Sequence, residues 1–189
     1  PYSINLPILL DDEREIVGKT YKDKGNQVAI DVGHSIVNED KKDKRVNQWL
    51  DLIQKNPKAQ LYCARGGLRS EIAQAWLKEA GCDIKTISGG FKALRNTCLS
   101  ILNDASNDDK KWMILSGRTG SAKTKLINIL DNSICLEGLA NHRGSAFGSF
   151  DTPQPTPINF ENTLACEYLQ IADNTVYFED ESRTIGRLV

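Results

Sequence analysis

The chain has 189 residues, with 24 Lys and Arg against 25 Asp and Glu, a net charge of −1 and 40% hydrophobic residues. This balance excludes a polybasic chain that holds nucleic acid by bulk charge, so any RNA contact requires a local basic patch. No apolar run reaches membrane-spanning length, no signal-peptide pattern is present, and the size suits one large domain or two small ones.

Residues 28–32 (VAIDV) form a short apolar run that fits either strand or helix, and residues 47–53 have helical spacing through Trp49, Leu50 and Ile53. The charge-dense stretch 39–45 reads as a solvated surface, with an RNA contact as the lesser alternative. Residues 59–62 read as a strand running into Cys63, followed by a glycine-containing loop at 64–69. A helix is expected from Ser70, a good N-cap, through Ile72, Ala73, Ala75, Trp76 and Leu77 to a closing Gly81. Residues 83–87 read as the next strand, Gly89 and Gly90 as a turn, and 91–102 as a second helix. This order predicts a parallel sheet in an α/β arrangement.

The polar stretch 103–110 (NDASNDDK) marks the expected boundary between a first domain, 1–105, and a second, 106–189. In the second, 112–115 reads as a strand, 117–123 as a loop, 124–130 as a helix, 160–171 as a helix and 175–178 as a strand. The chain opens at Pro1 and stops at Val189 shortly after that strand, so it reads as a piece of a longer protein.

The five cysteines, Cys63, Cys82, Cys98, Cys135 and Cys166, are odd in number and include no C-x-x-C pair. Neither a disulfide framework nor a zinc site is expected, and a reducing cytoplasm is the expected location. His34 and His142 are too few for a histidine-based metal centre, and His34 reads as a loop residue.

Chemistry concentrates in three segments. In the first, CARGGLRS, Cys63 stands at the end of a strand and before a helix, where backbone N–H groups converge on an anion. Gly66 and Gly67 let the backbone curl into an anion nest, and Arg65 and Arg69 should help depress the thiol pKa. A thiolate in such a cradle is equipped to take sulfur, selenium or phosphorus from an anionic donor. Cys63, Arg65 and Arg69 are therefore the expected catalytic residues.

The second segment, GRTGSAKT, has the strand–loop–helix setting of a P-loop. Gly117, Gly120 and Ser121 would wrap a diphosphate, Lys123 would neutralise it, and Thr124 would hold Mg²⁺. Ala122 stands where a glycine is expected, which is tolerable only if that backbone does not need a positive φ. Glu179, Asp180 and Glu181 end a strand, either to position Mg²⁺ through water or simply to face solvent. The third segment, NHRGSAFG, is polar, basic and glycine-rich. It suits phosphate or a flipped base through Asn141, His142, Arg143 and Ser145, with Arg183 a further RNA candidate.

The cysteine loop resembles the rhodanese active-site loop and its phosphatase relatives. Many sulfurtransferases of that superfamily have four residues between the cysteine and the closing arginine; here there are five, 64–68, which goes with phosphorus-containing anions. Together with GGFKALR at 89–95, ANHRGSAFG at 140–148, FEDESRTIG at 178–186 and LPILLDDER at 6–14, these segments resemble the tRNA 2-selenouridine synthase family.

The resemblance implies a rhodanese-like domain lacking its first part, followed by a P-loop NTPase-like domain lacking its last. It implies a cytoplasmic enzyme that replaces the sulfur of wobble 2-thiouridine in tRNA with selenium from selenophosphate, after S-geranylation from geranyl diphosphate. Cys63 would serve the selenium step and the loop around Lys123 the diphosphate. No tightly bound cofactor is implied: selenophosphate and geranyl diphosphate would be co-substrates, and Mg²⁺ an optional companion of the diphosphate. A rhodanese-type sulfurtransferase or cysteine phosphatase using Cys63 and Arg69 is the alternative, and a nucleotide- or RNA-binding module is the third reading.

Overall fold

The computed structural model describes residues 3–118, 120–145, 147–181 and 184–188. The chain separates into two compact units, Tyr2–Ala93 and Leu94–Val189, and the division falls within helix α5, Gly90–Asp104.

The first unit is mainly helical: α1 Asp11–Lys24, α2 Asn26–Ile36, α3 Glu39–Lys55 and α4 Leu68–Glu79. Three acidic residues open α1 and two lysines lie in its last turn, matching its dipole at both ends. Gly25, at φ 84°, turns the chain directly into α2, so the ambiguous run 28–32 is helical. His34 therefore lies on a helix rather than in a loop, its ring edge-on to Trp76.

The expected strands 59–62 and 83–87 contribute a single parallel bridge, Leu61 to Thr86. Two short segments pairing only with each other make too few hydrogen bonds for a stable parallel ladder. Helix α4 starts at Leu68 with Gly67 as its cap, so Ser70 lies inside the helix instead of at its mouth. Gly81, at φ 83°, follows the helix end as expected.

Trp49 of α3 stacks on Trp76 of α4 with ring centroids 6.2 Å apart, and Val37, Val46, Ala73, Leu77 and Ile84 complete this core. The charged start of α3 is not wholly solvated, because Arg45 is buried against Glu13 of α1. The two are paired at 2.6 Å, Lys41 donates to the other Glu13 oxygen at 2.9 Å, and Arg45 also reaches the carbonyl of Ile8. This network fastens the LPILLDDER segment to α3.

The second unit contains β1 Lys111–Leu115, α6 Lys123–Ile127, β2 Ser133–Ile134, α7 Leu136–Ala140, α8 Pro157–Gln170 and β3 Thr175–Glu179. Its sheet is parallel with the order β1-β3-β2, which bears out the α/β class. Thr156 caps α8 by accepting from the Asn159 N–H, and Pro157 occupies the first turn, where a missing N–H is harmless. Helix α6 ends at Ile127, earlier than its sequence pattern predicts, while β2 and α7 were too short to leave a periodic signal.

Ile134, Val176, Phe178, Tyr168 and Ile171 form the core beneath the sheet. Val176 and Ile127 are completely buried, and each such aliphatic side chain stabilises the fold by roughly 1.5–3 kcal/mol. Because β3 pairs Glu179 with Leu115 of β1, the acidic strand end lies beside the start of the Gly117 loop.

Candidate functional site

In the first unit the loop after Tyr62 folds back on the start of α5. The Phe91 N–H donates to the Cys63 carbonyl at 2.9 Å and the Lys92 N–H to the Ala64 carbonyl at 3.0 Å. With these carbonyls turned towards α5, the following amides are free to face Cys63. Close approach demands glycine on both sides. Gly66 has φ 64°, and a Cβ there would lie 2.6 Å from the Gly89 nitrogen. A Cβ on Gly90, at φ 57°, would run into the Cys63 carbonyl oxygen.

Burial alone would push the Cys63 thiol up. The Ser70 hydroxyl, 3.3 Å from Sγ, and the amides of Arg65, Gly67 and Ser70 outweigh it and bring the pKa down to about 7. The thiolate is stabilised by these neutral donors, whereas the Arg65 and Arg69 side chains stand exposed, available to an incoming anion. Ser70, read from sequence only as a cap, is thus the site residue that the sequence reading missed. Its signal was a hydroxyl one helical turn into the loop's own helix.

In the second unit the Gly117 loop joins β1 to α6. Ser116 donates to Asp180 at 2.7 Å and the Asp180 N–H to the Leu115 carbonyl at 2.9 Å, fixing the loop to the acidic strand end. Lys123 donates to the Gly117 carbonyl at 2.7 Å. Ala122 has φ 66° and ψ 23°, the left-handed conformation that its side chain disfavours, so the condition set for tolerating alanine is not met. The strain is of the order of 1–2 kcal/mol.

A chain of carboxylates lies behind this loop. The Thr124 hydroxyl donates to Glu137 at 2.9 Å, and the Glu137 N–H donates to Glu179 at 2.8 Å. Glu179 is 2% exposed, so it does not face solvent, and its second oxygen has no hydrogen-bond partner among the described residues. Burial, then the charges of Glu137 and Glu179, raise the Glu181 pKa, and Lys123 partly opposes them. Burial and the same two carboxylates push the Cys135 thiol up to about 11, so it is a poor nucleophile. Glu137, on a helix too short to be predicted, was missed.

One cavity of about 1090 Å³ brings together Gly117, Gly120, Ser121, Lys123, Thr124, Asn141, His142, Arg143, Ser145 and Asp180. Two of these side chains are structural. Asn141 donates to Thr152 and Pro153, and buried His142 accepts from the Gly144 N–H at 3.2 Å. Arg143 is exposed and lies 4.7 Å over the Phe150 ring. Arg183 lies outside the described residues, as does Thr119 of the loop itself. Among the described residues, no group of three or more His, Cys, Asp or Glu is arranged to hold a metal ion by itself. No helix among them is long and apolar enough to cross a membrane.

Residues 110–189 match the model of the tRNA 2-selenouridine synthase AAA domain. The chain is 49% identical over 190 residues to the tRNA 2-selenouridine synthase of Shewanella halifaxensis (strain HAW-EB4), covering 99% of this chain and 52% of that protein. It is 48% identical over 191 residues to that of Sulfurovum sp. (strain NBC37-1), covering 100% and 52%. It thus spans about half the length of the curated relatives it matches. The N-terminal domain of an ATP/GTP binding protein of Clostridium difficile 630 is 33% identical, with a TM-score of 0.48, over 52% of this chain and 76% of that one.

Proposed function

Because the chain belongs to the tRNA 2-selenouridine synthase family, we propose that it supplies both anion-binding centres of an enzyme exchanging sulfur for selenium in the wobble 2-thiouridine of tRNA. The observation that carries this reading is Cys63, a thiol with a pKa of about 7 inside a glycine-built loop of amides. Such a group is substantially ionised at neutral pH and sits among backbone amides of the kind that bind an anion.

In this reading the first unit is rhodanese-like and the second P-loop NTPase-like. The Gly117 loop and Lys123 bind the diphosphate of a prenyl donor, geranyl diphosphate, and the thiocarbonyl sulfur of the nucleoside is alkylated. Alkylation converts a poor leaving group into a thiol. Selenium from selenophosphate then attacks C2 at the Cys63 loop, where Arg65 and Arg69 meet its phosphate end. Mg²⁺ fits the second centre only in company with the diphosphate. Thr124 and the carboxylates beside it would contribute some of its oxygens and the ligand the rest, and the ion would neutralise the departing charge.

The test is to incubate the full-length protein, wild type and Cys63→Ala, with 2-thiouridine tRNA, geranyl diphosphate and selenophosphate, and to weigh the digested nucleosides. A selenonucleoside from wild type, and only the geranylated nucleoside from the variant, is the expected result. If wild type yields neither, the reading fails, and sulfurtransferase and phosphatase assays on Cys63 take its place.

A further inference from the structure

The segment from His142 to Ser149 is a tightly bonded turn in the second unit. The Arg143 N–H donates to the Gly148 carbonyl and the Gly148 N–H to the Ser145 carbonyl, each at 2.9 Å, and the Ser145 N–H donates to the Arg143 carbonyl at 2.8 Å. An antiparallel bridge from His142 to Ser149 closes the base of the turn. The fit is close: a Cβ on Gly148 would lie 3.0 Å from the Arg143 nitrogen and from the Ser145 carbonyl oxygen. Buried His142 anchors the base, and Asn141 before it is taken up by Thr152 and Pro153, so neither side chain is turned to a ligand.

What the turn sends outward is an aromatic ring. Phe147 is 95% exposed, the most exposed large hydrophobic side chain among the described residues. Its neighbours Gly144, Ser145, Gly148 and Ser149 are small or polar. Arg143 lies across the turn from Gly148, with its guanidinium 4.7 Å over the Phe150 ring, and borders the cavity of the Gly117 loop. A guanidinium with one face on a ring keeps its edge donors for an anion.

A one-sided aromatic surface beside a fixed cation selects its ligand by shape. A flexible aliphatic chain is desolvated only inside an enclosed pocket, and a ring that is 95% exposed stands in none. A protein partner is met by a patch of several apolar side chains, which one ring among glycines and serines does not make. A planar base needs one face only, and its phosphate needs a cation.

We propose that Phe147 is a stacking platform for an unpaired base of the RNA substrate, with Arg143 meeting the phosphate backbone beside it. The inference rests on the function proposed above only in taking RNA as the substrate. It adds to the two anion-binding centres a positioning contact that is tolerant of sequence, since every base has a π face. The hydrogen-bonded turn presents the ring ready placed, so binding does not have to order the loop.

The test uses the full-length protein and a fluorescein-labelled RNA hairpin with an unpaired loop, its affinity followed by anisotropy beside that of a blunt RNA duplex. Phe147→Ala and Phe147→Leu should each weaken hairpin binding about tenfold, Phe147→Trp should restore it, and duplex binding should change in none. Arg143→Ala should weaken the hairpin as well and flatten its salt dependence. Failure of wild type to bind the hairpin, wild-type affinity in Phe147→Leu, or an equal loss on the duplex overturns the platform. So does a fall of several degrees in the melting temperature of Phe147→Ala, which would put the ring beneath another part of the protein. A raised KM for geranyl diphosphate in Phe147→Ala with unchanged hairpin affinity overturns it too, by giving the ring to the prenyl chain. Anisotropy needs no turnover. A protein that binds the hairpin through Phe147 and selenates no tRNA would sink the proposed function and leave the platform standing.

Discussion

The hydroxyl of Ser70 lies 3.3 Å from the sulfur of Cys63 and donates at 2.8 Å to the carbonyl of Gly67. A hydroxyl has one proton to give. While the thiol is neutral, it can donate to Ser70 and the hydroxyl stays on Gly67; once the thiolate forms, the hydroxyl turns to sulfur. Ser70→Ala removes that donor. A hydrogen bond to a charged group is worth about 1.5–3 kcal/mol, so the pKa should rise by roughly one to two units. The pH dependence of Cys63 alkylation by iodoacetamide should show half-maximal rate near pH 7 in wild type, from the pKa of about 7, and a clear upward displacement in the variant. An unchanged profile would place the depression in the amides alone.

Glu13 makes the first unit sensitive to acid. Burial would raise its pKa, but the bonds from Lys41, the Leu10 N–H and Arg45 hold it at about 2, against an ordinary value of 4.5. A depressed carboxyl stabilises the fold above its unfolded pKa and loses that contribution as pH falls through the folded one. The loss therefore runs from about pH 4.5 down to about 2 and amounts to the order of 3 kcal/mol. Glu13→Gln leaves Arg45 buried without its counter-charge and should destabilise the unit by about 3–5 kcal/mol at pH 7. Urea unfolding at pH 7 and pH 3 checks both, with the variant losing most of the pH dependence in this window.

Ala122 carries strain within the Gly117 loop. Ala122→Gly relieves it but adds freedom to the unfolded chain, so a net gain of several tenths to about 1 kcal/mol is expected. Thermal unfolding of the second unit should move up by a few degrees. A fall in stability would mean that the methyl group packs usefully despite the backbone.

The carboxylates around Thr124 make the loop a poor anion site until a cation or protons intervene. Pyrophosphate should bind at least tenfold more tightly with Mg²⁺ than without. Its metal-free binding should strengthen as pH falls through the raised pKa of Glu181, since the protonated form repels less. Lys123→Ala should weaken binding by about 10–100-fold, the worth of one charge-assisted hydrogen bond. Isothermal titration with inorganic pyrophosphate measures all three effects. Equal affinity with and without Mg²⁺ would overturn the electrostatic account.

Residue type and spacing alone marked the cysteine loop, the Gly117 loop and the basic glycine-rich segment as candidates, because backbone cradles for anions are built locally from a few consecutive residues. Helices with a sustained apolar face, α4, α5 and α8, were equally legible. The two-residue strand β2 and five-residue helix α7 were not, since a period cannot be read from so few positions. What only the tertiary structure decided depends on long-range approach. Glu13 and Arg45 meet across 32 positions of sequence, and Thr124, Glu137 and Glu179 are linked across 55. The expected strands 59–62 and 83–87 shrank to the one bridge between Leu61 and Thr86, for want of neighbours to pair with.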